Sequence, residues 1–485
     1  MTNGTLMQYF EWYLPSDGSL WKQLSEKAQT LAESGITALW LPPAYKDANG
    51  QGGVGYAIYD LYDLGEFNQK GSIATKYGTR TEYLAAIKAC QKAGIDVYAD
   101  IVLNHKTGAD EPETLNAYEC AGFNRDQISS QKSTITAWTK FTFPGRGGKY
   151  SNFTWNAKHF DGVDRDNTAR KNSIYLFEGK SWEENVDEEN GNYDYLMGAD
   201  LDFGNEEVLK ELDTWGKWYL DTTGVSGFRL DAVKHIKSEF YKHWIPSMRA
   251  HAKQELFTVG EYWHHDLGAL KEYLAETDHC LSLFDVPLHY KFHQASCHPD
   301  GFDLRTIFDN TLVSDDPTHA VTFVDNHDTQ PGQALQSFVA DWFKPLAYAL
   351  ILLRESGYPC VFYGDYYGIP THGIKPVGKA LTNLLSVRRT HAYGKQHDYF
   401  DDPKCIGFTR EGNPGADKTK ECETGLACVI STGHAACKRM YVGTSHAGQK
   451  FFDVTWNQRQ IIAVDDTGHG NFPVCEKSVS VWIPI

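Results

Sequence analysis

From residue 5 to about 390 the chain alternates short apolar runs, rich in β-branched and aromatic residues, with stretches whose apolar positions recur at helical spacing. Eight runs read as strands: Leu6–Phe10, Ile36–Leu41, Val97–Leu103, Gly227–Leu230, Phe257–Val259, Cys280–Phe284, Ala320–Val324 and Cys360–Tyr363. Between them, Leu20–Ser34 sets Leu20, Leu24, Lys27, Ala28 and Leu31 on one helical face, and Phe338–Ser356 is hydrophobic nearly all round through Pro345–Leu353. Eight βα units predict an α/β fold, a (β/α)8 TIM barrel. The alternation breaks once, between Leu103 and about Glu206, in a stretch rich in Asn, Asp, Gly, Trp and Tyr. A connection that long is a domain of its own, inserted after the third strand. After about Ala392 the helical period gives way to short alternating runs (Cys405–Thr409, Ala427–Ser431, Arg439–Val442, Val479–Ile483) separated by Gly and Asn turns. These predict a C-terminal all-β sandwich domain. The divisions are 1–103 and 207–392 for the barrel, 104–206 for the insert and 393–485 for the β domain.

Composition narrows the partners. The 485 residues are 41% hydrophobic and 22% charged, and no uncharged apolar run reaches the ~18 residues of a membrane span. With 63 acidic against 46 basic side chains the net charge is −17, which repels phosphate backbones and anionic lipid. Neither nucleic acid nor membrane is expected as a partner. Aromatic residues make up 13%, enough to fill a core and still leave rings for the apolar faces of sugars. Five of the ten cysteines (Cys405, Cys422, Cys428, Cys437, Cys475) crowd the last part of the chain, a clustering that suggests disulfide bridges. No CxxC pair suggests structural zinc, and buried free thiols in a cytosolic enzyme are the competing reading. No signal peptide opens the chain. The sequons Asn3-Gly4-Thr5 and Asn152-Phe153-Thr154 lean toward a secreted protein, with the cytoplasm as the alternative.

Active sites of parallel barrels form at the C-terminal strand ends, which directs attention to polar residues closing apolar runs. Four segments qualify: Asp100-Ile-Val-Leu-Asn104-His105, Gly227-Phe-Arg229-Leu-Asp231, Val259-Gly-Glu261-Tyr262 and Phe323-Val-Asp325-Asn-His327-Asp328. Arg229 and Asp231 are two residues apart and share a strand face, while Phe228 and Leu230 point outward. An arginine beside Asp231 depresses its pKa and suits a nucleophile; Glu261, ending an apolar strand, is desolvated, with a raised pKa that suits a general acid. Two carboxylates in opposed states are the requirement of glycoside hydrolysis, with retention when they stand about 5–5.5 Å apart. Taken singly, each has an ordinary reading: a strand-end carboxylate as a helix cap, a barrel histidine as a hydrogen-bonding core residue, Tyr56 as a core aromatic, and His264, His265 and His434 as surface residues without a role. A metal-dependent barrel hydrolase would end its first strand in paired histidines, and Gln8-Tyr-Phe-Glu-Trp12 has none.

In this order the four segments closely resemble the signature regions of glycoside hydrolase family 13, the α-amylase family. Further stretches, among them Gly4 to Trp12, Leu61 to Phe67, Asn192 to Met197, Phe284 to Tyr290, Phe323 to Gly332 and Lys438 to Gly443, resemble its liquefying bacterial-type members. The resemblance implies an endo-acting enzyme that cleaves internal α-1,4 bonds of starch, glycogen and maltooligosaccharides with retention, as a monomer on an α-glucan. It assigns Asp231 as nucleophile, Glu261 as acid/base and Asp328 as the residue that stabilises the oxocarbenium-like sugar. Arg229 would orient Asp231 with Asp100 as its structural partner, His105, His235 and His327 would hydrogen-bond bound glucose units, Lys234 would touch the acceptor side, and Tyr56 would stack on the sugar beside the cleaved bond. The alternative within the family is a maltooligosaccharide-forming or transglycosylating enzyme.

The resemblance also implies a Ca2+ ion held by Asn104, Asp194, Asp200 and the backbone carbonyl of His235, tying the insert to the barrel. The density of Asp194, Asp200 and Asp202 within Asn192–Phe203 independently suits a cation that takes 6–8 oxygens. Asp161, Glu183 and Asp202 would form a second site, weak or empty because Gly204 removes a ligand found in similar enzymes. Ala57 and Ile58 also depart from the related bacterial pattern, where smaller residues stand.

Overall fold

The computed structural model describes residues 3–122, 124–413 and 423–485. Eight strands, β1 (Leu6–Gln8), β2 (Ala38–Leu41), β3 (Asp96–Ile101), β4 (Gly227–Leu230), β5 (Phe257–Gly260), β6 (Ser282–Phe284), β7 (Ala320–Phe323) and β8 (Tyr358–Phe362), close into a barrel in chain order. Every neighbouring pair is parallel. Each anticipated strand is present, with ends that differ from the anticipated ones by no more than two residues and Gly227–Leu230 unchanged. The helix Leu20–Glu33 buries Leu20, Trp21, Leu24, Ala28 and Leu31, the expected face with Trp21 added. Lys27 stays half-exposed and sets its ammonium 4.5 Å from the centre of the Tyr367 ring. The run Phe338–Ser356 is helical only over Lys344–Leu353: Pro345 lies in the first turn, where it needs no N–H partner, and the helix starts there.

Two junctions position the strand that carries the chemistry. The helix Glu206–Thr223 starts on an Asn205 side-chain cap. It stops at Gly224, whose φ of 64° is the left-handed conformation that ends helices without a Cβ clash. Three residues later β4 begins, with Phe228 facing outward onto Trp244 at 5.3 Å between ring centres. The segment after β3 forms a six-stranded sheet in the order 105–106, 199–201, 160–166, 171–177, 111–120, 128–140. Its first pairing sets His105 opposite Asp200 and so folds the insert back against the exit of β3.

The C-terminal residues build a six-stranded sheet and a two-stranded ribbon. The run Leu426–Ser431 is buried on both faces, and its alternation explains why: Leu426, Cys428 and Ile430 pack into the barrel's core, while Ala427 and Val429 pack into a second core with Met440, Phe451, Phe472 and Trp482. At about 1.5–3 kcal/mol per fully buried large apolar side chain, this strand fastens the β domain to the barrel.

Among the described residues the anticipated bridges do not form. Cys405, Cys428, Cys437 and Cys475 are free thiols, and Cys422 lies outside the described residues. Strand register is the reason: Cys405 pairs with Ser431, Cys428 with Phe408 and Val481, and Cys437 with Pro473, which leaves no cysteine opposite another. Melting with and without a thiol reductant is therefore expected to give the same Tm. A drop of the size that loss of a bridge produces, about 2–4 kcal/mol, would contradict this.

Candidate active site

Register brings the charged strand ends together. Arg229 in β4 lies opposite Asp100 in β3 and Val259 in β5, one residue from the ends of those strands that carry the other carboxylates. Its guanidinium is fully buried, with Nη1 2.9 Å from Asp100 and 2.6 Å from Asp231, and Nη2 3.0 Å from Glu261. It also rests on the Trp40 ring, 4.8 Å from its centre. A buried cation requires a partner, and here one cation serves three carboxylates. Asp100 is pinned in turn by Trp40 Nε1 and the Tyr56 hydroxyl, each donating to Oδ2 at 2.8 Å.

Burial and the charge count together set the protonation states. Four carboxylates (Asp100, Asp231, Glu261, Asp328) are grouped around one guanidinium. Burial pushes Glu261 up to about 7, with Arg229 opposing the rise and Asp231 adding to it. Burial and then the Glu261 charge raise Asp328 well above the usual carboxylate range. Asp100 rises to about 6 through burial, against the pull of Arg229. The expected raised acid at Glu261 is therefore present. Just beyond Asp231 the chain bends sharply: Ala232 takes φ 49° and ψ 40°, a left-handed conformation that costs a non-glycine residue on the order of 1 kcal/mol. The bend aims the Ala232 N–H at Glu261 Oε2, 3.1 Å away.

Around these groups the rings are ordered. Tyr56 lies parallel to His327 at 5.1 Å and to Trp12 at 6.0 Å, a flat aromatic stack at the barrel mouth. Gln8 Nε2 donates to His327 Nδ1 at 3.0 Å, which leaves the His327 proton on Nε2, 3.3 Å from Asp328. Burial, then Arg229, keeps that imidazole neutral. His105 donates from Nε2 to the Tyr56 carbonyl at 2.9 Å, and burial lowers its pKa. Lys234 pairs with Glu189 and donates to the Trp263 carbonyl at 3.0 Å, while His235 Nδ1 sits 2.6 Å from the Tyr193 carbonyl.

Six of the anticipated metal ligands, Asn104, Asp161, Glu183, Asp194, Asp200 and Asp202, lie in one acidic cluster. Asn104 Nδ2 donates to Asp200 Oδ1 at 3.2 Å, and Asp194 Oδ2 accepts the Glu183 N–H at 2.9 Å. Burial, followed by the charges of its acidic neighbours, pushes Asp161 up to about 9. Burial raises Asp194 to about 8 and Asp200 well above the ordinary range. Asn104 Oδ1, Asp161 Oδ2 and Asp200 Oδ2 are buried oxygens without a hydrogen-bond donor among the described residues. Buried hard oxygens left over in this way fit an oxygen-seeking cation. Asp161, Glu183 and Asp202 lie close enough to share an ion, yet two lysines already serve them: Lys180 pairs with Asp202, 3.9 Å from Asp161, and Lys237 is 2.9 Å from Glu183. A Cβ at Gly204 would stand 3.0 Å from Asp202, next to this group.

Residues 15–423 match the family model described as alpha amylase, catalytic domain, and residues 427–483 match that described as alpha-amylase C-terminal. The chain belongs to the α-amylase family. It is 55% identical over 484 residues to an alpha-amylase of Geobacillus stearothermophilus, covering 99% of this chain and 87% of the relative. It is 52% identical to a glucan 1,4-alpha-maltohexaosidase of Bacillus sp. strain 707, covering 99% and 92%. A cytoplasmic alpha-amylase of Escherichia coli K12 is 43% identical, covering 100% and 99%.

In this α-amylase-family chain the contributions of Trp40, Trp12, Gln8 and Glu189 escape a reading of the sequence. Trp40 lies in an apolar strand run and reads as core. Its role as donor to Asp100 exists only because β2 and β3 are neighbours. Glu189, in the insert, shows no signal before it meets Lys234. His264, read as a surface residue, lies with Asp187 and Glu189 in a group able to hold a metal ion. Among the described residues, no helix is long and apolar enough to cross a membrane.

Proposed function

We propose that the chain is an endo-acting α-amylase that hydrolyses internal α-1,4 bonds of starch, glycogen and maltooligosaccharides with retention of configuration. The observation that carries this is the single guanidinium of Arg229 bridging Asp231 and Glu261 at the ends of adjacent strands. Asp231, with one oxygen held by Arg229, attacks the anomeric carbon. Glu261 delivers its proton to the glycosidic oxygen, and the leaving chain departs. Glu261, now ionised, then takes a proton from water as that water opens the glycosyl–Asp231 ester. Asp328, oriented by His327, bonds sugar hydroxyls as positive charge builds on the ring, and Tyr56 supplies the stacking face. His105 and His235, both held neutral with their single N–H given to the Tyr56 and Tyr193 carbonyls, offer the other ring nitrogen as an acceptor to hydroxyls of bound glucose units, and Lys234 meets the acceptor side. In this reading 1–103 and 207–392 form the catalytic barrel, 104–206 the insert and 393–485 the β domain, in a protein that works as a monomer.

A calcium ion would be held at the acidic cluster by Asn104, Asp194, Asp200 and the His235 carbonyl, where its charge would neutralise the buried carboxylates and these residues would hold the insert to β3 and to the turn after Asp231. The lysines on Asp161, Glu183 and Asp202 leave the second site weak. For location, the free thiols among the described cysteines suit a reducing compartment, and the Asn3 amide donates to the Arg388 and Ala392 carbonyls rather than standing free for modification. Asn152 of the second sequon is exposed, as modification would need, and cell fractionation would decide between the cytoplasm and the secreted alternative.

NMR of the first product formed from a maltooligosaccharide tests the assignment: the α anomer is expected, and a β anomer would overturn it. The 52% identity to a maltohexaosidase favours a second reading, in which one maltooligosaccharide predominates. A time course of product lengths on soluble starch separates the two. The acid limb also has a sign. Glu261 is protonated below about 7 and loses its proton above it, so kcat/KM should fall as pH rises through that value, tenfold per unit at the limit. A profile flat from pH about 6 to about 9 would remove Glu261 as the acid.

A further inference from the structure

We infer that His279, Asp316 and His319 form a binding site for a divalent transition-metal ion of the zinc class, at the end of the barrel opposite the candidate active site. His279 lies in the turn before β6 and His319 immediately before β7, at the N-terminal strand ends. One ligand atom from each of the three side chains lies within 4.8 Å of the others. Zinc bonds of about 2.0–2.1 Å in a tetrahedron put ligand atoms ~3.3 Å apart, so side-chain rotation alone closes the gap. The two imidazoles are neighbours, stacked with centres 5.1 Å apart and planes inclined by 26°, so the rotation must also turn their nitrogens toward one ion, and Asp316 Oδ2 is 2.7 Å from His319 Nδ1.

The backbone under these side chains is fixed. The His319 carbonyl accepts the Leu283 N–H from β6 at 2.8 Å, and the His279 N–H donates to Leu274 at 2.8 Å. Both histidines are thus anchored to neighbouring parts of the barrel, which lowers the ordering cost of binding. Charge points the same way. The neighbouring acids have basic partners: Asp315 meets Lys271 at 3.0 Å, Asp278 meets Lys242 at 3.0 Å, and Glu255 meets Arg249 at 3.4 Å. Asp316 has no lysine or arginine in its ion pairs among the described residues, only His319. This contrasts with the Asp161 group, where two lysines occupy the place of an ion.

Donor chemistry selects the ion. Two imidazoles and one carboxylate suit zinc, copper, nickel or cobalt, whereas calcium and magnesium prefer an all-oxygen shell. Three protein ligands leave a fourth position for water, and His279 and His319 line a cleft of about 530 Å³ that gives water access to it. Bound there, the ion would tie the turn before β6 to the turn before β7 and stabilise the barrel floor without touching the carboxylates at its mouth.

The test uses the full chain with calcium saturating, stripped of other metals, and titrated calorimetrically with Zn2+, with Co2+ absorbance as a second readout of imidazole ligation. Wild type is expected to take up an equivalent of Zn2+ that His279→Ala and His319→Ala each weaken at least tenfold. His264→Ala, which alters the other histidine-containing group, should retain it. Zn2+ should raise the Tm of wild type and not that of the two variants, whose metal-free Tm values match wild type. Equal Zn2+ binding by wild type and both variants, loss of the equivalent in His264→Ala, or no uptake by wild type would each overturn the site.

Discussion

Asp231→Asn is expected to lower kcat on starch by about 10⁴-fold or more, and Glu261→Gln by about 10²–10⁴-fold, each with the fold intact. Folding survives because the buried Arg229 has three carboxylate partners and keeps two when one is neutralised. The two losses differ in kind. With an aryl maltooligosaccharide whose leaving group needs no proton, Glu261→Gln should recover the first step and accumulate the glycosyl–enzyme, because Asp231 still attacks. Asp231→Asn should recover nothing, since no nucleophile remains. Burst kinetics and mass spectrometry of the intact protein read the difference. Activity of Asp231→Asn within tenfold of wild type, with deamidation excluded, would end the nucleophile assignment.

Removal of calcium is expected to have the largest effect on stability. Asp161, Asp194 and Asp200 are buried and repel one another, and Asp161 Oδ2 and Asp200 Oδ2 have no hydrogen-bond donor among the described residues. At a calcium concentration a thousandfold above Kd, binding stabilises the native state by about 4 kcal/mol, and chelation takes that away. Chelator-treated protein should melt several degrees lower and lose activity slowly, as the insert loosens from β3 and the turn after Asp231 loses its order. Added calcium should reverse both where unfolding is reversible. Asp200→Asn should remove most of the calcium dependence and Asp202→Asn little, because Lys180 already neutralises Asp202. Metal-free protein, verified by elemental analysis, with unchanged Tm and activity would exclude the ion.

The sequence by itself determined the eight barrel strands and singled out the carboxylates at their ends. Short apolar runs and the carboxylates that close them are local patterns, and a parallel barrel always exposes those strand ends on one face. It also set the all-β tail, where the alternation of Leu426, Cys428 and Ile430 with Ala427 and Val429 separates two cores. The start of the helix at Lys344 and the absence of bridges among the described cysteines were less legible. The first depends on where a proline is tolerated, and the second on register, which pairs Cys428 with Phe408 and Val481 rather than another thiol. Tertiary structure alone decided what each strand end meets. Closure of the barrel sets Arg229 against Asp100, Asp231 and Glu261 together, and the burial that comes with it raises Glu261 to about 7 against the pull of Arg229. Folding of the insert brings Asp200 to Asn104, and the turns before β6 and β7 bring His279 to His319. These contacts join residues tens of positions apart in sequence, in turns without periodicity. Burial, and the electrostatics that follow from it, belong to the closed barrel and its neighbours and to no segment alone.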